Sequence, residues 1–302
     1  MTRTELDPWV ESYLSYLADV RRMNARTIID IRCTLKKIGE YLEAAKPEAP
    51  LWSLSLDDYL RWLNVQREST RSEHALAKEL SHMRGLLDYA WRSGRTDRNV
   101  LDGFRMQKPP RQIEARSLTL EEAKRLVAAC PRSTSQERRN RLILLVLYGC
   151  GLRTAELCGL DVGDVNVERQ EVFVRKGKND CQRTVPVPGA VWMELLAYLT
   201  ERRGKRGPLF RTFVKRRRIS AKDVGAAVKQ ATELAGIEGH VTAKTLRHTF
   251  ATHLMDRGVS LAIISSLMGH RSPSETGVYL HVLPGKGEAA VASLQGENGG
   301  EQ

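Results

Sequence analysis

Apolar residues recur at helical spacing through the first third of the chain. Two stripes come first, and two further helical patterns follow at about residues 56–65 and 72–92. A helix with apolar residues along one side buries that side against its neighbours. We therefore predict four short helices with both stripes in the core. The stripes consist of Trp9, Val10, Tyr13, Leu14, Leu17 and Val20, and of Ile28, Ile29, Ile31, Leu35, Ile38 and Leu42.

The pattern changes after the fourth predicted helix, and this change predicts a domain boundary. The turn-rich segment SGRTDRNVLDG leads into RMQKPPRQIEA, which contains the adjacent Pro109 and Pro110. Proline restricts the residue before it to extended backbone and removes a helical donor. We expect a helical domain over residues 1–105, a linker over 106–116, a second domain over 117–285 and a tail over 286–302.

The second domain mixes helices with a hairpin. Thr119 followed by Glu122 has the spacing of a capping box at a helix start. Residues 139–148 are apolar nearly all round and predict a buried helix, while EVFVR (171–175) and RTVPV (183–187) alternate like strands. Helical patterns follow at 189–201, 220–235, 242–257, 260–268 and 274–280. The fold class is thus mostly α, with a small β-sheet in the second domain.

Charge is distributed unevenly between the two domains. The chain has 302 residues, with 48 Lys+Arg against 36 Asp+Glu. Residues 1–106 carry an excess of only +1, whereas the rest carries +11, so a polyanion is the expected partner of the second domain. Nine basic residues crowd into positions 202–218, either as a solvated loop or as phosphate contacts. The DNA-contact candidates are Arg202, Arg203, Lys215, Arg216, Arg217 and Arg218.

Several protein classes are excluded by composition. The longest apolar run, Leu142 to Tyr148, has seven residues, whereas a membrane span needs about 20. The N-terminal MTRTELDPWV lacks the apolar core of a secretory leader. Five cysteines without a CxxC pair indicate neither a disulfide framework nor a zinc site. We expect a cytoplasmic protein that associates with the nucleoid, not with a membrane.

Four segments of the second domain carry polar residues at the ends of apolar elements. Each has an ordinary explanation, such as a structural ion pair, a soluble hairpin tip, a helix cap or a core aromatic ring. Taken together, their order is hard to obtain by chance. The segments are GLRTAEL with Arg153 and Glu156, VRKGKND with Lys176 and Lys178, AKTLRHTFATHLM with Lys244 and Arg247, and LMGHRSPSETGVYLHV with His270 and Tyr279.

These segments resemble the tyrosine recombinases of the phage integrase family, with the Xer type nearest in size and layout. Spacings of 94, 23 and 9 residues separate Arg153, Arg247, His270 and Tyr279. The resemblance covers nearly the whole chain, although residues 1–105 contribute only size and helix pattern. It implies a SAM-like helical core-binding domain ahead of an integrase-type catalytic domain.

The resemblance also implies a chemistry. Tyr279 would attack a phosphodiester to give a 3′-phosphotyrosyl link, which keeps the bond energy for rejoining without ATP. Arg153, Arg247 and His270 would stabilise the charge that gathers on the non-bridging oxygens. Lys178 would protonate the leaving 5′-oxygen, with Lys176 as the near alternative. The two arginines supply the charge that a metal would bring, so we expect no metal and no other cofactor.

Two further residues, Glu156 and Lys244, lie close in sequence to the two arginines. Glu156 stands where the family has an acid that supports the active-site arginine. The family's usual HxxR is replaced here by Lys244-Thr245-Leu246-Arg247. A lysine with an ordinary pKa near 10.4 donates a hydrogen bond to phosphate but is a poor base at pH 7. Lys244 is therefore either a phosphate donor in the site or an ordinary surface residue.

The implied partner is double-stranded DNA with inverted half-sites. The enzyme would act as a homotetramer, alone or with a second recombinase, and exchange strands through a Holliday junction. Residues 288–294 form a short apolar pattern that either docks on a neighbouring subunit or folds on its own domain. Two alternatives stay open, namely a type IB-like topoisomerase and a catalytically silent DNA-binding relative.

Overall fold

The computed structural model describes residues 7–47, 49–69, 71–106, 116–175, 182–202 and 206–269. Contacts between Cα atoms divide the chain into two compact units, Met1–Gln112 and Ile113–Gln302. The division falls inside the segment predicted as a linker. The predicted helix at 274–280 and the C-terminal tail lie outside the described residues.

The first unit contains the four predicted helices and one additional turn of 3₁₀ helix, Leu51–Ser53. Each helix starts after a residue whose side chain accepts a backbone N–H of the first turn, as Asp7 accepts from Trp9 N at 2.8 Å. Such caps satisfy donors that the helix itself leaves free. The helices are α1 (Pro8–Asp19), α2 (Ala25–Ala45), α3 (Leu56–Glu68) and α4 (Glu73–Arg92).

The prediction of burial is wrong for two residues of the apolar stripes. Val20 lies one residue beyond the end of α1 and is 66% exposed. Ile29 is 50% exposed, because it stands two residues from the buried Ile31 and hence about 200° around the helix axis. The remaining stripe residues pack in or against one core with aromatic and leucine side chains of α3 and α4.

The second unit is also mainly helical, and its buried centre is α6. The predicted helix over 139–148 begins earlier, at Ser135, because Thr134 and Glu137 form a capping box. Leucine, isoleucine and valine side chains over residues 142–147 are buried where α6 packs against four later helices. The helices are α5 (Leu120–Ala128), α6 (Ser135–Cys150), α7 (Thr154–Gly159), α8 (Gly189–Glu201), α9 (Ala221–Leu234), α10 (Ala243–Asp256) and α11 (Leu261–Met268).

A small antiparallel sheet lies between α7 and α8, with its strands in the order β1-β2-β3. The predicted hairpin is present as β2 (Glu171–Val174) and β3 (Arg183–Pro186), and β1 (Val165–Asn166) was not predicted because two residues show no periodicity. Val172 pairs with Val185 on the buried face, while Phe173 points outward. The sheet joins the helical core through its valines, so the expected mostly helical fold with a small sheet is confirmed.

Candidate active site

Arg153 is placed by a glycine that ends α6. Gly151 has a φ of +60°, and a Cβ there would lie 2.6 Å from Cε1 of Phe250. Only glycine adopts this conformation without strain and also leaves room for the ring. The chain therefore turns sharply after α6, and Arg153 becomes the N-cap of α7.

Glu156 holds Arg153 in two ways. One carboxylate oxygen accepts the backbone N–H of Arg153 at 2.8 Å, and the other accepts Nη1 of the same residue at 2.9 Å. The predicted pairing of this arginine with an acid three residues on is thus present in the structure. Nη1 and Nη2 also donate, at 3.3 Å each, to the carbonyls of Met268 and Gly269 at the end of α11.

Arg247 reaches the same place from α10. Its Nη1 donates to the carbonyl of Gly151 at 2.6 Å, and its Nη2 donates to the carbonyl of Met268 at 2.7 Å. Nη1 also lies 3.8 Å from Oε2 of Glu156, and the side chain is 9% exposed. The two arginines, 94 positions apart in sequence, therefore share Met268 as an acceptor and Glu156 as a counter-ion.

Arg183 is a third arginine at this carboxylate, and no sequence pattern predicted its role. Its Nη1 and Nη2 bind the two oxygens of Glu156 at 3.1 and 2.8 Å, and its Nε donates to the carbonyl of Leu267 at 2.6 Å. The side chain is 8% exposed and that of Glu156 is 1% exposed. A charged residue that opens a strand was the available clue, but only the fold brings it to Glu156.

The charge of Glu156 is favoured despite its burial. Burial raises the pKa of a carboxyl group, but the side-chain hydrogen bond from Arg183 and the backbone N–H of Arg153 outweigh it. The pKa of Glu156 is therefore lowered from its ordinary value. A carboxylate kept ionised at this position fixes the orientation of the guanidinium groups around it.

Gly269 completes the contact between α11 and the sheet. It ends α11 with a φ of +62°, and a Cβ at this position would approach Nη1 of Arg183 at 2.8 Å. The glycine of the LMGH segment thus permits the arginine to pass close to the backbone. The carbonyls at the end of α11, just before His270 in sequence, accept hydrogen bonds from three guanidinium groups. The donors are Arg153, Arg183 and Arg247.

Lys244 lies in the first turn of α10, three residues before Arg247, and its side chain is exposed. The neighbouring His248 is half-buried. Burial, followed by the charges of Lys244 and Arg247, lowers the pKa of His248 to about 4. His248 is therefore neutral near pH 7.

The structure thus brings Arg153, Glu156 and Arg247 together and places Lys244 one helical turn from Arg247. Other predicted site residues lie outside the described residues. These are Lys176, Lys178, Arg203, His270 and Tyr279.

The basic candidates over 202–218 differ in environment. Arg218 is paired with Asp161 at 2.6 Å and donates to the carbonyls of Cys158 and Leu160, so its guanidinium is tied to the fold. Arg202 ends α8 and is partly buried. Lys215, Arg216 and Arg217 are exposed, as Arg218 is, and they lie in a loop closed by a hydrogen bond from Thr212 N to Arg217 O.

The described residues contain no group of three or more His, Cys, Asp or Glu side chains arranged to hold a metal ion. Within the same residues, no helix combines the length and apolar character needed to cross a bilayer.

Comparison with protein families identifies the class. The family model described as Phage integrase family matches residues 116–286, and the one described as Phage integrase, N-terminal SAM-like domain, matches residues 10–94. The chain belongs to the phage integrase family. The resemblance stated from the sequence motifs is thereby confirmed.

Curated relatives specify the class further. A tyrosine recombinase of Pseudothermotoga lettingae is 32% identical over 91% of this chain and 93% of its own length. Tyrosine recombinase XerA of Thermococcus kodakarensis is 33% identical over 90% of each chain. The protein is accordingly an enzyme of the tyrosine recombinase type, which cleaves and rejoins DNA through a tyrosine intermediate. The Xer-like character expected from the sequence is confirmed.

Solved structures support the fold. A lambda integrase dimer bound to a core site has a TM-score of 0.71 at 19% identity, covering 90% of this chain and 76% of that chain. The crystal structure of XerA recombinase has a TM-score of 0.51 at 23% identity, covering 97% and 100%. A SAM-like N-terminal unit followed by an integrase catalytic unit is therefore the architecture of this chain.

Proposed function

We propose that this recombinase exchanges strands between two DNA sites, with Tyr279 as the nucleophile. The observation that carries the proposal is the convergence of Arg153 and Arg247 on Met268 and Glu156. Two guanidinium groups oriented by one buried carboxylate suit the non-bridging oxygens of a phosphodiester. Both also bind the carbonyl two residues before His270, which would join them as a third donor.

The cleavage step needs no reagent other than the protein and the DNA. The phenol oxygen of Tyr279 forms a bond to phosphorus while the bond from phosphorus to the 5′-oxygen breaks, and the phenol proton is released. Lys178, or Lys176 beside it, protonates the leaving oxygen, so that a free 5′-hydroxyl remains. Attack of a 5′-hydroxyl from the partner strand on the phosphotyrosine reverses the step and restores the enzyme. Arg153, Arg247 and His270 stabilise the transition state in both directions.

The exposed position of Lys244 bears on proton removal from Tyr279. A solvated ammonium group near Arg247 donates a hydrogen bond to phosphate, whereas a base must accept a proton. In the proposed mechanism Lys244 contacts the phosphate and the arginine cluster stabilises the phenolate as it forms. A lysine in place of the usual histidine then predicts slow cleavage at neutral pH.

The proposed partner is duplex DNA with inverted half-sites, bound by a homotetramer or together with a second recombinase. A lambda integrase tetramer bound to a Holliday junction has a TM-score of 0.70 to this chain, and it supports the arrangement. We assign core DNA binding to residues 1–105, the linker to 106–116, catalysis to 117–285 and docking on a neighbouring subunit to 286–302. Arg202, Arg203, Lys215, Arg216, Arg217 and Arg218 contact phosphates, and the protein acts in the cytoplasm at the nucleoid.

Covalent trapping tests this proposal. A suicide duplex, nicked just downstream of the scissile phosphate and drawn from a random-sequence library, loses the short fragment that carries the new 5′-hydroxyl. The protein stays on the 3′-phosphate of the upstream fragment. Wild-type protein should form a covalent band, and Tyr279→Phe should form none while still binding DNA. Arg125→Gln, at an exposed helix position, is a control that should react like the wild type. A covalent band with Tyr279→Phe, or none with the wild type on DNA that it binds, would overturn the assignment.

Strand exchange is scored separately from cleavage. Selected sites placed in direct repeat on one plasmid should yield two circles, and a plasmid without them should keep its supercoils. Relaxation of any plasmid without exchange would assign a topoisomerase activity instead. Reversing the orientation of one half-site turns the inverted repeat into a direct repeat. This change tests the predicted symmetry, since a site with two inverted halves accepts a subunit on each.

A further inference from the structure

A cationic pocket lies in the catalytic unit, between the end of α8 and the loop over residues 211–218. Its volume is about 240 Å³, and its lining includes Arg202, Arg211, Thr212 and Arg216. Nη2 of Arg202 and Nη2 of Arg211 both donate to the carbonyl of Arg206, at 3.2 and 2.6 Å. Two guanidinium groups therefore lie side by side on one acceptor. These residues differ from those that bond to Glu156 and Met268 in the candidate active site.

Several donors in this pocket are buried and unsatisfied. Within the described part of the chain, Nε and Nη1 of Arg202, Nε of Arg211 and Oγ1 of Thr212 are buried with no hydrogen-bond partner. Folded proteins pair almost all such groups, and an unpaired one is costly because it has lost its bound water. All four belong to residues that line one pocket, which favours a ligand that carries several acceptors.

The charges in the pocket indicate which kind of acceptor fits. Glu201 is the acidic residue among the described lining, and its carboxylate is already paired with Nε of Arg138 at 3.0 Å. Burial, followed by the charge of Arg211, lowers the pKa of Arg202, and the opposing charge of Asp161 offsets this only in part. Arginine nevertheless stays protonated in proteins. The acceptor that fits these donors is therefore an anion.

We propose that this pocket binds one phosphate group through Arg202, Arg211 and Thr212. The fork of an arginine presents parallel N–H groups that match two phosphate oxygens, and a threonine hydroxyl supplies a third donor. The phosphate belongs either to a DNA backbone or to a free anion. With DNA as its source, the site extends the proposed function and gives the enzyme an anchor that is separate from the scissile phosphate.

Thermal unfolding of the full chain tests the free anion. Inorganic phosphate should raise the unfolding temperature saturably relative to chloride at equal ionic strength, because a ligand of the folded state stabilises it. Arg202→Gln should lose this response, and so should Thr212→Val, which keeps every charge. Arg125→Gln removes the same charge at an exposed position and should retain the response. Arg153→Lys separates this pocket from the candidate active site, and it should retain the response as well.

DNA binding tests the other source. The logarithm of the binding constant falls linearly with the logarithm of salt concentration, and one lost phosphate contact reduces the slope by about 0.9. Arg202→Gln should show that reduction, whereas Arg125→Gln should keep the wild-type slope. A reduced slope without a phosphate response assigns the pocket to the DNA backbone. A phosphate response with an unchanged slope assigns it to a free anion.

The proposal is wrong if Arg202→Gln and Thr212→Val keep both the phosphate response and the salt slope of the wild type. It is equally wrong if only Arg153→Lys abolishes the phosphate response and no pocket variant changes the slope. Absence of any wild-type DNA complex would contradict the proposed function, and the phosphate measurements would then decide this proposal alone.

Discussion

Arg183 donates hydrogen bonds to both carboxylate oxygens of Glu156, from Nη1 to Oε1 at 3.1 Å and from Nη2 to Oε2 at 2.8 Å. The pair joins the start of β3 to α7, and Nε of the same arginine bonds the carbonyl of Leu267 at 2.6 Å. One guanidinium therefore links three elements around the candidate active site. Arg183 orients Glu156, which in turn orients Arg153, so we regard it as a positioning residue.

Replacing Arg183 should reduce stability and activity together. Arg183→Gln removes two charged hydrogen bonds from the buried Glu156, which keeps its bonds to Arg153. Each lost bond contributes about 1.5–3 kcal/mol to the free energy of unfolding. Because Arg153 then loses a fixed counter-ion, we expect covalent trapping on the suicide duplex to slow by about tenfold or more. Urea unfolding and the rate of band formation measure the two effects.

Arg67→Gln is the matched control for this prediction. Arg67 binds both oxygens of Glu73 through Nε and Nη2, at 2.7 and 3.1 Å, but the side chains are 47% and 36% exposed. Exposed pairs contribute little because water competes for both partners. An equal loss of stability in the two variants would contradict the role of burial, and unchanged trapping by Arg183→Gln would contradict the positioning role.

The lowered pKa of Glu156 predicts a contribution to stability that depends on pH. The unfolded chain takes up this proton at a higher pH than the folded chain, so the contribution is complete above the ordinary value of 4.5. It is lost as the pH falls through the lower, folded-state pKa. Urea unfolding of wild type and Glu156→Gln should therefore differ most near neutral pH and converge in acid. A difference that grows as the pH falls would contradict the sign of this shift.

Gly151→Ala should damage the turn that presents Arg153. The substitution places a side chain in a left-handed conformation, at a cost of about 1–2 kcal/mol, and the clash with Phe250 adds about 1–3 kcal/mol. Trapping should fall as well, because Arg247 bonds the carbonyl of Gly151 at 2.6 Å. The free energy of unfolding and the trapping rate are the measurements.

Gly236→Ala separates the two parts of that cost. Gly236 also has a φ of +60°, but a Cβ there would meet nothing within 4 Å. The control should show only the backbone penalty and react at the wild-type rate. Equal destabilisation by the two alanines would show that the ring of Phe250 moves aside without cost.

Lys244→His tests the departure from the family's HxxR pattern. A histidine has an ordinary pKa near 6.5 and is largely neutral at pH 7, so it accepts a proton where the lysine cannot. We expect cleavage at pH 7 to rise by about tenfold or more, and to fall again below about pH 6 as the histidine becomes protonated. Lys244→Gln, which lacks a positive charge and a base, should be slower than wild type. A rate unchanged in both variants would place Lys244 outside the chemistry.

Local sequence patterns were sufficient for most of the fold. The α8 helix occupies the predicted 189–201, and the caps at Thr119 and Ser220 mark where α5 and α9 begin. The errors arose where local rules have no information. A two-residue β1 has no period, and the exposure of Val20 and Ile29 depends on where a helix ends and which side faces its neighbours.

The contacts of the candidate active site also fall into two groups, those that sequence spacing predicts and those that it does not. The pairing of Arg153 with Glu156 spans three residues, so sequence spacing alone predicts it. The bond from Arg183 to Glu156 spans 27 residues, and the one from Arg247 to Gly151 spans 96. No periodicity connects such positions, and Arg183 was therefore missed as a partner of Glu156.

By itself, the sequence determined most helices of the described residues, the basic character of the second unit and the membership of the phage integrase family. Helix caps, amphipathic faces and motif spacing act over a few residues, so they can be read along the chain. The tertiary structure decided that three arginines share the carboxylate of Glu156, and that Arg202 and Arg211 line one pocket. Those relationships depend on burial, which removes water from charges that are distant in sequence and makes their pairing strong.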